Sequence, residues 1–303
     1  MCVTAHDWAK TKYRLVGSRD LLPVRMPKGK KCAFAYCVNM DAVALWIDGG
    51  FLATPLPTTI SKGEFGPREG AGRILDVLKK LDIKCSFGIP GHTAESFPEI
   101  CKRVVAEGHE VMYHGYMHED VSKMPKEKEE AVMRRGLATL KNVLGVDAVG
   151  YDQHSSDVSP NTHELLEKLG FEYAITEMAS EFLPYRIRVG DHVPLDGPMK
   201  HGRETKVVQI PWSWFLDDFP YYDYIWGTQT GLRTPREVIS IYKDFFHYMY
   251  ENVPGGVMRL VNHDQVSGHA HVIPRLEEFL RYVKSFPDVW VATCKEIADA
   301  YVD

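Results

Sequence analysis

The stretch from Gly72 to His114, GRILDVLKKLDIKCSFGIPGHTAESFPEICKRVVAEGHEVMYH, decides the fold. Gly72 to Leu81 sets Ile74, Leu75, Leu78 and Leu81 on one helical face. Lys84 to Ile89 then reads as a strand, Phe97 to Glu107 as a second amphipathic helix, and Glu110 to Tyr113 as a strand that delivers His114. Strands joined through helices run parallel, because such a crossover returns the chain to the same end of the sheet.

The alternation extends in both directions. Upstream, Cys32 to Met40 (CAFAYCVNM) is an apolar strand, followed by a turn containing Asp41. Downstream come the helix Lys126 to Val143, the strand Ala148 to Tyr151, the helix Asn161 to Leu169 and the strand Tyr173 to Thr176. Val207 to Ile210, Val257 to Val261 and Val289 to Ala292 read as further strands, and Arg236 to Tyr250, Pro274 to Val283 and Lys295 to Tyr301 as helices. About seven βα units of this kind predict closure into an α/β barrel. No linker or repeat divides the chain, so one domain is expected over residues 31–303, preceded by a polar arm over residues 1–30.

Composition narrows the function. The 303 residues carry 36 Lys and Arg against 41 Asp and Glu, a formal charge of −5, with no basic stripe, so nucleic acid is not an expected partner. A 45% hydrophobic content with 25% charged residues is that of a globular domain, not of a disordered chain. No window approaches the apolar length of a membrane span. Six cysteines without a Cys-x-x-Cys pair, and an arm without a secretory signal, give the expectation of free thiols and a cytoplasmic protein.

In parallel α/β folds chemistry gathers just beyond the carboxyl ends of the strands. That filter selects Asn39 and Asp41, Pro90 to His92, His114 to His118, Asp152 to His154, Glu177, Trp212 to Trp214, and His263 with Asp264. In GHEVMYHGYMHED, His114 and His118 are four apart; on a helical turn they would share a face and could offer nitrogens to one cation about 2 Å away. Taken alone, the pair reads equally as two solvated loop histidines. Asp41 supplies a carboxylate if its strand lies beside the one ending at His114, and such a trio leaves room for water and substrate.

The order VNMDAVALW (Val38 to Trp46), GHEVMYHGYMHED, GYDQHSSDVSPNTHELLEKLGFEYAI (Gly150 to Ile175) and VNHDQVSG (Val261 to Gly268) resembles the polysaccharide deacetylase, or NodB-homology, superfamily. PGHTAESFP, PYRIRVGD, QIPWSWFLDDFP and VWVATCKEIADAY resemble the branch holding the Helicobacter-type peptidoglycan deacetylase and bacterial cyclic imide hydrolases, from about Lys31 to the C-terminus. FGPREGAGR (Phe65 to Arg73) is similar to the PuuE-type allantoinases. The resemblance implies a distorted (β/α)7-8 barrel with a divalent metal, usually zinc, at Asp41, His114 and His118. It also implies a homo-oligomer, a dimer or a tetramer, acting on a small molecule.

Two departures matter. The branch places its base aspartate at the position of Asn39, and an amide cannot take a proton from water near neutral pH. A cation that acidifies water is still compatible with turnover. After Gly150 and Tyr151 the chain has Asp152, Gln153 and His154 where the branch carries an apolar wall, so Asp152 or His154 is a candidate replacement base, or equally a surface cap. By the resemblance His263 is the general acid, with Asp264 beside it, although strand neighbours point to opposite faces. His92, Tyr151, Trp212, Trp214 and Arg68 complete the expected substrate-binding set, and the aromatic run extends to Trp226. The reading is a metal-dependent hydrolase of a non-peptide C–N bond in a small cyclic imide, amide or N-acyl substrate. The alternatives are a chitin or peptidoglycan deacetylase and a non-catalytic barrel that has lost its base at Asn39.

Overall fold

The computed structural model describes residues 24–48, 56–155, 157–225 and 229–301. Within them lie the strands β1 (Cys32–Asn39), β2 (Ser86–Ile89), β3 (Glu110–Tyr113), β4 (Gly150–Asp152), β5 (Tyr173–Ile175), β6 (Tyr185–Val189), β7 (Arg203–Gln209), β8 (Tyr224–Ile225), β9 (Gln229–Thr230), β10 (Val257–His263) and β11 (Val289–Val291). One sheet runs β10-β1-β2-β3-β4-β5-β7-β6, with β11 also on β1, while β8 and β9 form a separate hairpin. Every pair in the large sheet is parallel except β6 with β7. Among the described residues the curled sheet is not bonded round a full circle. Its seam is spanned by a bridge between Asp217 and Val261 and by the Val257 N–H donating to the Phe182 carbonyl. The architecture is a distorted, incompletely closed α/β barrel.

The alternation of β1 shows how the sequence builds both layers. Phe34, Tyr36, Val38 and Met40 join the core under the helices, whereas Ala33, Ala35 and Cys37 face the barrel interior with Val257, Val261, Tyr173 and Trp212. The helices follow the expected periodicity: Ala71–Leu81 and Pro98–Ala106 cover β2 and β3, and Lys126–Leu144 ends where Gly145 adopts φ 73°. Capping boxes at Thr234 with Glu237 and at Thr293 with Glu296 start the helices Pro235–Asn252 and Cys294–Ala300.

Three features lie outside the regular alternation. PYRIRVGD supplies β6, an antiparallel edge partner of β7, and β7 itself starts at Arg203, ahead of the expected Val207. Short helices at Ala44–Asp48, Pro57–Phe65 and Gly91–Ser96, with a π-helical turn at Gly66–Gly70, come from segments too short to show a clear period. Residues 1–23 of the arm lie outside the described residues; its end is fixed by Val24 N–H to the Gly255 carbonyl and Arg25 N–H to the Ala300 carbonyl. Among the described residues the cysteines are buried free thiols, and no helix is long and apolar enough to cross a membrane.

Candidate metal and acid centre

Parallel register brings the carboxyl ends of the strands to one level. Asn39 lies beside His263 on one side and Gly88 on the other, Ile89 beside Tyr113, and Asp152 beside Ile175. Residues immediately past these ends therefore enclose one space, a cavity of about 340 Å³. Asn39, Asp41, His114, His118, Asp152, His154, Trp212, Trp214 and His263 all line it.

His114 and His118 meet by a different route from the expected helical turn. The segment after β3 is a non-helical loop in which Gly115 and His118 both take positive φ, 78° and 61°. A left-handed backbone at histidine costs about 1 kcal/mol or more, so other contacts must hold it. Glu119 accepts from the Tyr116 N–H, while the carbonyls of Gly115 and Tyr116 accept from the N–H groups of Gly91 and His92. The Thr93 hydroxyl fixes the Asp41 carbonyl at 2.9 Å.

The result is a cluster of buried ligating atoms. His114 Nε2 stands 3.2 Å from Asp41 Oδ1 and His118 Nε2 3.9 Å from Asp41 Oδ2. His114 Nδ1–H donates to the Asp152 carbonyl at 3.1 Å, which leaves the lone pair of Nε2 facing a carboxylate oxygen. Among the described residues neither Asp41 oxygen nor His114 Nε2 has a hydrogen-bond partner. Two acceptors face each other at contact distance, an arrangement that a cation between them relieves. The three side chains, with ligand atoms within 4.8 Å of one another, therefore fit a divalent metal. Burial pushes the His118 pKa down to about 4, and the imidazoles His118, His114 and His263 hold Asp41 below the usual carboxylate range although burial alone would raise it. An uncharged His118 ring beside an ionised Asp41 is the protonation state a cation needs.

His263 is held on the other side. Its Nδ1–H donates to Asp218 Oδ1 at 2.7 Å, and its backbone N–H reaches both Asp218 oxygens at 3.0 Å. The Ser267 hydroxyl also donates to Asp218. Nε2 is thereby aimed at the site, 3.7 Å from Asp41 Oδ2. Burial opposes a charged ring, yet the carboxylates of Asp217 and Asp218 outweigh it and raise the His263 pKa well above the ordinary histidine value. Asp217 itself is pushed up to about 6 by burial and by the Asp218 charge, against the pull of His263. Asp217, Asp218 and His263 also cluster closely, but Asp218 is already filled by donors, so this trio holds an imidazole and not a second cation.

Four expected residues stand elsewhere. Asp264 does not orient His263. It opens the helix Asp264–Ser267, accepts from the Gln265 N–H and packs where Gly66 leaves space for it, because the chain turns immediately after His263. His92 contributes its backbone to the loop while its ring lies edge-on to Tyr116, outside the cavity lining. Arg68 is exposed beside Glu64 at 3.7 Å; the surrounding glycines, Gly66 and Gly70, serve as a close-packed platform for the helix after His263. Tyr151 is fully buried, stacked on Tyr113 behind His154. Trp226 lies outside the described residues.

The reading also missed Asp217, Asp218 and Arg259. Each had a signal: LDDFP sits in the quoted QIPWSWFLDDFP, and Arg259 is four residues before His263 on one strand, hence on the same face.

A carboxylate and two imidazoles at the strand ends of an α/β barrel, next to a third imidazole held by a carboxylate, define a barrel hydrolase. Residues 63–174 match the polysaccharide deacetylase family. The chain is 33% identical to the peptidoglycan deacetylase of Helicobacter pylori over 285 residues, covering 90% of this chain and 97% of that protein. It is 27% identical to a peptidoglycan deacetylase-like protein of Gibberella zeae, over 98% and 94% of the two chains. A Mycobacterium smegmatis structure described as a polysaccharide deacetylase superposes with a TM-score of 0.81 at 32% identity, over 91% and 92% of the chains. PuuE allantoinase, at 22% identity and a TM-score of 0.75 over 92% and 93%, shares the fold. The chain belongs to the polysaccharide deacetylase family, whose members hydrolyse carbon–nitrogen bonds other than peptide bonds.

Proposed function

We propose that this chain is a metal-dependent hydrolase of a small cyclic imide, ureide-like ring or other small amide, with zinc held by Asp41, His114 and His118. The observation that carries the reading is the pairing of an acceptor-only cluster at Asp41 and His114 with a donor, His263 Nε2, only 3.7 Å from the same carboxylate. A bound zinc would supply Lewis-acid polarisation of a carbonyl and a lowered pKa for water. The chain's own residues do the rest. Asp218 fixes the His263 ring so that Nε2–H can protonate the departing nitrogen, a step worth roughly 10²- to 10⁴-fold. Trp212 and Trp214, edge to face at 4.9 Å, offer a flat apolar wall for a ring. A cavity of about 340 Å³ is at the small end of ligand sites, which favours a compact substrate.

The likeness to the Helicobacter peptidoglycan deacetylase supports a second reading, removal of acetyl groups from N-acetylglucosamine units. Zinc-loaded protein assayed on succinimide, glutarimide, hydantoin and N-acetylglucosamine oligomers separates the two. Ring opening with full zinc content is the expected result. Turnover of the oligomers alone moves the assignment to deacetylation, and full zinc content without turnover of any substrate leaves a binding barrel.

A further inference from the structure

The position expected to carry a base is an amide, Asn39, yet a carboxylate stands against it. A Cβ on Gly88 would fall 2.7 Å from Asn39 Oδ1, 3.1 Å from Asp152 Oδ2 and 3.2 Å from His114 Nδ1, so the missing side chain of one β2 residue leaves the space where these groups meet. Asp152 lines the cavity, is 2% exposed, and accepts from Arg259 Nη2 at both oxygens, 2.8 and 2.9 Å. Arg259, itself buried, reaches across from β10. A buried carboxylate persists only when paired, and this pairing fixes its position. The other candidate, His154, has both ring nitrogens buried among Tyr113, Tyr151, His114 and His118, and burial holds it uncharged.

We propose that Asp152, clamped by Arg259, takes the place of the carboxylate absent at position 39 and accepts the proton of the attacking water. This inference rests on the hydrolase reading above. As the water oxygen bonds to the carbonyl carbon, one water proton passes to Asp152. The carbon–nitrogen bond then breaks and its electron pair stays on nitrogen, which takes a proton from His263. The proton on Asp152 returns to His263 through solvent, so one water is consumed per bond and both side chains end as they began. The amide at 39 keeps a second negative charge away from Asp152 across the gap left by Gly88, where two carboxylates would repel.

The test uses the zinc-loaded full chain and a substrate that the wild type turns over, with the variants Asp152→Asn, Asn39→Asp and the double variant carrying both. Asp152→Asn should lower kcat by about 10²- to 10⁴-fold with zinc content unchanged, because its side chain is no metal ligand. Asn39→Asp alone should also lose activity, and the double variant, with its carboxylate moved back, should recover to within about tenfold of wild type. Should Asp152→Asn fail to fold, the double variant decides: a folded, zinc-loaded protein within about tenfold of wild type supports the proposal, and one below that limit overturns it. If Asp152→Asn folds and keeps more than half the wild-type kcat, or the double variant gains nothing over it, the proposal fails while the hydrolase reading stands. A zinc-loaded wild type inert on every ring and acetamido substrate sinks that reading first.

Discussion

On one wall of the cavity, Asp41 and His114 hold buried polar atoms that have no hydrogen-bond partner among the described residues; on the other, Asp218 accepts from three donors to fix His263. The contrast separates two kinds of preparation. Unsatisfied buried groups cost roughly 1–3 kcal/mol each and persist where a ligand offsets them. Satisfied groups cost nothing further and serve to orient. One wall is thus built to gain a cation, the other to present a proton, and substitutions on the two should fail differently.

The largest expected effect is on the first wall. His114→Ala removes the ligand whose Nε2 faces Asp41, so zinc and turnover should leave together, with activity down by about 10⁴-fold or more. Elemental analysis alongside the assay checks this; stoichiometric zinc in the variant would erase the distinction between the walls.

Asp218→Asn attacks the second wall and should spare the metal. The ring loses the carboxylate that fixes Nδ1–H, and kcat should drop by about 10²- to 10³-fold with zinc content intact. The pH profile gives an independent readout. Asp217 and Asp218 keep His263 protonated to higher pH than an ordinary histidine, and the acid form is the one needed. Removing one of them lowers that pKa, so the alkaline fall in kcat should begin at lower pH in the variant. Loss of zinc in Asp218→Asn would show that the two walls act as one unit.

The walls also differ in how far the sequence discloses them. The repeat over β1, β3 and the helices between them puts Asp41 and His114 just beyond the carboxyl ends of two strands. The adjacency of those strands that the sequence reading required does not hold: β2 lies between them, and the two side chains meet across its end. The manner in which His118 joins them was not legible, since it depends on positive φ at Gly115 and His118 and on backbone bonds from Gly91 and His92. The second wall was read only at His263. Asp218 lies beyond β7 in an aperiodic segment, and sequence adjacency favoured Asp264, whose side chain turns toward Gly66 once the strand ends. Arg259 was hidden for another reason: a charged residue within an apolar strand shows its partner only when the barrel curls and brings β4 opposite β10.

The smallest expected effect lies at the rim, outside both walls. Trp214 lines the cavity yet remains 43% exposed, and it meets the buried Trp212 edge to face. A side chain at the mouth contacts substrate before and during the reaction alike, so its loss removes binding shared by ground and transition states. Trp214→Ala should therefore raise KM by about tenfold or less and leave kcat and zinc content near wild type. Steady-state kinetics on whichever substrate the wild type turns over reads this directly. A fall in kcat with unchanged KM would mean that the rim takes part in positioning the reacting bond, and the site would then have three working faces instead of two.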